Sequence, residues 1–251
     1  MAVIERINSI EVKMIVAILQ ARMSSTRLPG KVLRPLLAEP MLYRQIERIR
    51  RCTKINQLVV ATSDQPEDDA IVKFCAGVDI PIYRGQLNDV LDRYYQTAIT
   101  FGAEQIVRLT ADCPLTDPDL IDGLVTFHQK GNFAYSSNAI ERTYPDGLDA
   151  EIFSMLTLKT AWQEAASAMQ REHVTAFIYN NPQRFSLGLY KSNLDLSQLR
   201  WTVDYIEDFE LITQIYTALY PSKPNFTTQD IMQLLDQRPE LSKINHLHVA
   251  S

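Results

Sequence analysis

Short apolar runs alternate with amphipathic stretches along this 251-residue chain, and that alternation restricts its fold more than any other feature. A short apolar run bounded by turn residues reads as a buried strand. Apolar residues that recur every three or four positions read as a helix lying on a sheet. Strand-like runs occupy 15–19, 57–62, 80–83 and 105–109, and helical stretches occupy 41–52, 66–76, 89–101 and 117–129. Strands separated by crossover helices imply a largely parallel sheet covered on both faces. The expected fold is therefore α/β: a three-layer α/β/α, doubly wound, mostly parallel sheet. After residue 130 the pattern becomes mixed, with strand-like runs at 133–136, 150–153, 185–190 and 201–203 and helices at 156–168, 172–179, 205–219 and 228–235. The segment 138–200 is accordingly expected as a small mixed insertion lobe or dimerisation arm. With no low-complexity linker or repeat, 14–251 reads as one domain and 1–13 as an extension ahead of the first strand.

Composition removes several alternatives. An apolar fraction of 46% against 22% charged residues is ordinary for a globular domain. No run approaches the roughly 18 apolar residues of a membrane span, and the opening residues lack the pattern of a secretory signal. The cysteines Cys52, Cys75 and Cys113 are scattered and odd in number, which suggests neither a disulfide framework nor a zinc cluster. The cytoplasm is the expected compartment. A net charge of −5 argues against a nucleic-acid partner. The one basic stretch, Arg44 to Arg51, has helical spacing with Ile46 and Ile49 inward and reads as a solvated helix face.

The richest local signal follows the first strand: A-R-M-S-S-T-R-L-P-G-K-V-L, residues 21–33. Ligands of open α/β sheets bind beyond the carboxyl ends of the strands. Ser24, Ser25 and Thr26 are small enough for backbone N–H groups to approach phosphate oxygens, while Arg22, Arg27 and Lys31 supply charge. The spacing is that of neither a Walker loop nor a dinucleotide fingerprint. The plainer alternative is a polar surface loop turning at Pro29-Gly30.

Two carboxylates stand out beside this loop. Asp112 follows the apolar run I-V-R-L-T and Asp204 follows W-T-V, so both fall at strand ends. Mg2+ takes hard oxygen ligands, often one or two protein carboxylates completed by substrate phosphates and water. Against that stand a turn-capping role for Asp112 before Pro114 and a helix-capping role for Asp204 before Tyr205. The cluster D-G-L-D-A-E, residues 146–151, contains a turn at Asp146-Gly147. His173 lies near a helix start, where capping or packing competes with ligand contact. Cys113 reads as packed rather than nucleophilic.

Several segments together resemble the cytidylyltransferase family that makes CMP-activated acid sugars, and within it the branch of spore coat polysaccharide biosynthesis protein F. They are I-V-A-I-L-Q-A-R-M-S-S-T-R-L-P-G-K-V-L, Y-R-G-Q-L-N-D-V-L-D-R-Y-Y, R-L-T-A-D-C-P-L-T-D-P, Y-P-D-G-L-D-A-E-I-F, R-E-H-V-T-A-F-I-Y-N-N-P and R-W-T-V-D-Y-I-E-D-F-E-L. The resemblance implies that Arg22 and Lys31 hold a triphosphate with help from Arg27, and that Ala21 and Ser25 belong to the same loop site. It places Thr62, Ser63 and Asp64 beside the base and ribose, and Asp112 and Asp204 on Mg2+. It sets Asp149 and Glu151 at the sugar, with Arg142, Arg171 and His173 in segments that border it, making 138–200 a sugar-binding or dimerisation lobe. The implied reaction joins CMP from CTP to an acidic nonulosonic-type sugar and expels pyrophosphate, in the service of surface polysaccharide or glycan synthesis, by a protein able to form a homodimer. Its rivals are a glycosyltransferase of the same fold, which would consume a finished nucleotide sugar, and a non-catalytic nucleotide-binding protein.

Overall fold

The computed structural model describes residues 13–248, so of the expected extension only Lys13 is included. Strand β1 (Ile15–Gln20) leads into the long loop and a single 3-10 turn, Lys31–Leu33, followed by a two-residue hairpin of β2 (Pro35–Leu36) and β3 (Glu39–Pro40). These pieces are too short to carry a period, and the apolar pattern does not reveal them. Then come α1 (Met41–Ile49), β4 (Gln57–Ser63), α2 (Asp69–Gly77), β5 (Ile82–Gly85), α3 (Val90–Thr100), β6 (Gln105–Thr110) and α4 (Pro118–Gly131). The second half supplies β7 (Tyr135–Ser137), β8 (Glu151–Ser154), α5 (Met155–Glu164), α6 (Ala168–Glu172), α7 (Ala176–Tyr179), β9 (Leu187–Leu189), α8 (Ile206–Leu219) and α9 (Thr228–Gln237).

Seven strands form one sheet in the order β5-β4-β1-β6-β8-β7-β9. β1 pairs in parallel with β4 and β6, and β4 with β5, while β8 runs antiparallel to both β6 and β7. The chain moves outward from β1 to β4 and β5 and then crosses back to β6 on the other side of β1. That reversal opens a crevice beyond the carboxyl ends of β1 and β6, where Gln20 pairs with Thr110. The segment 138–200 is built into this sheet through β8 and β9.

Alternation along β1 divides the core. Ile15, Ala17 and Leu19 pack with buried residues of α1, α2, α4, α8 and α9 on one face. Val16 and Ile18 pack with α3, α5 and α7 on the other. The three expected layers are thus present.

Three expectations are corrected. The basic stretch of α1 is not a solvated face: Arg44 is 6% and Arg48 3% exposed. The Arg44 guanidinium donates to the carbonyls of Leu36 and Leu37 at 3.1 and 2.7 Å, and that of Arg48 to those of Thr116 and Phe226 at 2.6 and 3.1 Å. Carbonyls at turns and strand ends keep acceptor capacity, and a long guanidinium brings several donors at once. The helix expected at 172–179 is broken, because Val174 adopts φ 46° between α6 and α7. Residues 201–203 are extended but join no ladder; one bridge, Asp146 with Arg200, lies beside them.

Candidate active site

The crevice at the strand reversal holds a cavity of about 310 Å³ lined by the loop after β1, the end of β6, Asp204 and the end of α6. The loop is shaped by its own backbone. Met23 accepts from the amides of Ser25 and Gly30 at 2.9 and 3.0 Å, and Gly30 closes the turn in the left-handed region at φ 69°. Ala21 continues the β1 ladder, its amide donating to the Ala61 carbonyl at 3.1 Å.

Lys31 sits at the base of the cavity and is 7% exposed. Its Nζ donates to Asp204 Oδ1 at 3.0 Å, to Asp112 Oδ2 at 3.3 Å and to the Val203 carbonyl at 2.6 Å. These three acceptors engage all three ammonium protons. The two expected metal carboxylates therefore share one ammonium group. The backbone joins them as well, since the Val203 amide donates to the Asp112 carbonyl at 2.8 Å. Burial works against the Asp204 carboxylate, but Lys31, Arg200 and Arg27 outweigh it and hold its pKa below the usual value. The Thr110 hydroxyl fixes Asp112 from the strand end at 2.6 Å.

The loop arginines face the open side. Arg27 is 49% exposed at its side chain and reaches Asp204 at 2.8 Å, while Arg22 is 40% exposed and lies 3.6 Å from Glu172. Glu172 and His173 reach the cavity from the end of α6. At the end of β4, Thr62 is buried with a hydroxyl that meets no partner among the described residues. Ser63 is turned toward Asp68, and Asp64 is exposed.

The expected sugar residues separate. Arg142 forks onto Asp149, its second nitrogen at 2.8 Å, and also nears Asp146 at 3.5 Å. Arg171 forks onto Asp89 at 3.0 and 2.6 Å and donates to the Trp162 carbonyl, tying α6 to the start of α3. Glu151, on β8, is paired with its β6 neighbour Arg108 and accepts from the Tyr135 hydroxyl at 3.1 Å. Of this group only His173 lines the cavity. Cys113 is buried, and both burial and the adjacent Asp112 raise its thiol pKa well above the usual value, in keeping with a packing role.

Three supporting residues escaped the sequence reading. Asp68 accepts from the Met23 amide at 2.7 Å and the Ser63 amide at 3.0 Å, joining the loop to β4. Arg200 grips Asp204 at 3.1 Å and Asp208 at 2.9 Å, and Asp208 caps α8 by accepting from the amides of Asp204 and Tyr205. Arg108 lines the cavity from β6. A charged residue inside an otherwise apolar strand was the available signal for Arg108; Asp68 and Arg200 carried none.

Asp112 and Asp204 carry the hard oxygens a divalent cation takes, but Lys31, Arg27 and Arg200 already engage them, so such a cation would have to displace some of these contacts. No cluster of three or more metal-ligating side chains occurs among the described residues, so a cation held by Asp112 and Asp204 would complete its shell with ligand oxygens and water.

Comparison with known proteins agrees with this geometry. A family model described as cytidylyltransferase matches residues 16–248. The chain is 32% identical to spore coat polysaccharide biosynthesis protein SpsF of Bacillus subtilis, over 90% of this chain and 95% of that one. It is 36% identical to a 3-deoxy-manno-octulosonate cytidylyltransferase of Geobacter sulfurreducens, over 43% of this chain and 42% of that one. Among solved structures, a cytidylyltransferase from Leptospira borgpetersenii superposes with a TM-score of 0.87 at 29% identity, covering 91% of this chain and 96% of that one.

Proposed function

The chain belongs to the cytidylyltransferase family, and from that premise we propose that it transfers CMP from CTP to an acidic nonulosonic-type sugar, releasing pyrophosphate with the aid of Mg2+. The observation that carries this reading is the Lys31 ammonium drawing Asp112 and Asp204 together at the floor of a cavity whose rim is the Arg22–Arg27 loop.

In the proposed reaction the sugar's anomeric hydroxyl gives up its proton to water and forms a P–O bond to the α-phosphate, and the bond from that phosphorus to the bridging oxygen breaks, releasing pyrophosphate. Such a transfer relies on positioning and charge compensation rather than a covalent enzyme intermediate. Arg22 and Arg27, exposed on the rim, would grip the triphosphate oxygens, and the loop amides would add neutral donors. Lys31 holds the Asp112–Asp204 pair in place and so fixes the geometry of the cation site. Mg2+ bound there would neutralise phosphate charge as it builds on the leaving group. The base is assigned to the carboxyl end of β4, where Asp64 is exposed.

The acid-sugar choice draws support from the Geobacter relative's name and from His173 at the cavity edge. Arg142 and Arg171 are held by Asp149 and Asp89 outside the cavity lining, and in this reading they shape the surrounding segments rather than grip the sugar. The name of the Bacillus relative supports a role in polysaccharide synthesis. No helix among the described residues is long and apolar enough to cross a membrane.

The test is a pyrophosphate-release assay of CTP, UTP, ATP and GTP, with Mg2+, against a panel of acidic, amino and neutral sugars. The highest kcat/KM is expected for CTP with an acidic sugar, because a site built for the cytosine edge leaves buried polar groups unpaired with uracil. Preference for UTP with a sugar 1-phosphate would overturn the CMP assignment. Release of a nucleoside diphosphate from a nucleotide sugar would make the protein a glycosyltransferase.

A further inference from the structure

The basic stretch of α1 takes no part in the site above, and we propose that it lines a second anion site, a pocket for a phosphate-class oxyanion behind the Asp112 turn. A cavity of about 270 Å³ opens between α1, the end of α8 and the chain that follows it, with Arg44, Arg48, Arg51, Tyr220 and Asn225 in its walls. Arg51 and Asn225 also border a neighbouring hollow of about 210 Å³ at the start of α4.

The arginines are not equally satisfied. Arg44 spends its guanidinium on Glu47, the Tyr220 hydroxyl and two carbonyls. Arg48 uses Nε and Nη1 on carbonyls, but its buried Nη2 meets no acceptor among the described residues, and neither do the buried Nε and Nη2 of Arg51. Burial, and to a smaller extent the charge of Arg51, lower the Arg48 pKa. Like charges with spare donors at low exposure are unfavourable without an acceptor. Of the neighbouring carboxylates, Asp119 is exposed at the start of α4, and the other two are engaged. Glu47 is held by Arg44 and Tyr220, and Asp117 by the amides of Asp119 and Leu120 and by the Thr228 hydroxyl. A tetrahedral oxyanion offers several acceptors in the geometry that guanidinium forks match.

The pocket backs onto the catalytic loop. Gln45 donates to the Thr110 carbonyl and the Thr116 hydroxyl, each at 2.9 Å, and Arg48 donates to the Thr116 carbonyl at 2.6 Å. These contacts brace both ends of the turn that presents Asp112, so an anion on Arg48 and Arg51 would bear on the support of that carboxylate.

Calorimetric titration of the full chain with inorganic phosphate and, separately, with pyrophosphate tests the site in wild type, Arg51→Gln and Arg22→Ala. Arg51→Gln is expected to weaken binding at least about tenfold, the loss of a charge-assisted contact, while turnover without added anion stays unchanged. Arg22→Ala is expected to keep the Arg51-dependent binding, which separates this pocket from the triphosphate loop. Thermal unfolding of Arg51→Gln checks that the variant is folded. If it is not, Arg51→Lys, which keeps the charge and loses the fork, is expected to bind phosphate more weakly than wild type. Arg51-dependent heat from inorganic phosphate identifies free phosphate as the occupant, and such heat from pyrophosphate alone identifies a reaction product; both support the site. Equal affinity in wild type and the folded Arg51 variant, or loss of all binding in Arg22→Ala, overturns it.

Discussion

At the scale of single residues, Lys31 departs most from the role its position in the loop suggests. Its three donors are committed to Asp112, Asp204 and the Val203 carbonyl, so within the protein it acts as a clamp on the two carboxylates. Replacing it by methionine leaves two carboxylates facing each other without their shared cation. Lys31→Met is expected to cost about 1–3 kcal/mol of stability and to suppress turnover, as read by urea denaturation and the pyrophosphate assay. Asp112→Asn and Asp204→Asn preserve shape but remove a hard anionic ligand. Asp112→Asn is expected to leave the protein folded, and Asp204→Asn to lower the melting temperature because Lys31, Arg27 and Arg200 lose their shared anion. Each is expected to lower turnover about a hundredfold, the effect of losing roughly 3 kcal/mol of transition-state stabilisation. Near-normal turnover in both aspartate variants would refute the metal assignment.

Among elements, the start of α8 decides where Asp204 points. Asp208, fully buried, accepts from the amides of Asp204 and Tyr205 and receives the Arg200 fork at 2.9 and 3.0 Å. Burial raises its pKa, but the Arg200 fork, the two amides and Asn245 lower it further, so the folded value lies below the usual one. A depressed carboxylate pKa stabilises the fold above the unfolded value, about 3.9, and that contribution is lost as pH falls below it. Asp208→Asn is therefore expected to lose about 1–3 kcal/mol at pH 7, with a gap to wild type that narrows below about pH 4. Urea titrations across pH measure that gap, and a constant gap would refute the assignment. The crossing of 146–147 with 201–202 is equally strict. Gly147 adopts φ 108°, and a Cβ there would lie 2.3 Å from the Thr202 nitrogen. Gly147→Ala is expected to destabilise the protein by more than about 1 kcal/mol and, by displacing 201–204, to reduce turnover. A variant with wild-type stability and activity would show that the crossing can relax.

The whole molecule gathers its site from distant segments because the order of its parallel strands reverses at β1. Lys31 and Asp204 are 173 residues apart in sequence, and Lys31 and Asp112 are 81 apart. Ligand that binds only this assembled site must stabilise the whole fold. CTP with Mg2+ at a hundred times its dissociation constant is expected to add about 2.7 kcal/mol and raise the melting temperature. Chelating the metal should remove most of that gain, and equal melting curves with and without metal would count against a metal-assisted triphosphate site.

By itself the sequence determined the layers and the order of the longer strands and helices through β6 and α4, the short β2–β3 hairpin excepted, and it singled out the loop after β1 as a candidate. Each is written in the spacing of consecutive residues or in one contiguous loop, and short-range periodicity needs no knowledge of the chain path. It also marked Asp112 and Asp204 as strand-end carboxylates. Only the tertiary structure decided what those groups meet. It placed both carboxylates on one ammonium, turned Arg44 to the carbonyls of the adjoining hairpin and Arg48 to those of distant segments, and turned Arg142 and Arg171 toward Asp149 and Asp89. It likewise made Asp68 and Arg200, silent in the sequence, the supports of the loop and of Asp204. A long charged side chain has the same local signature whether it faces water or a buried acceptor, and which it meets depends on segments brought together only when the sheet closes.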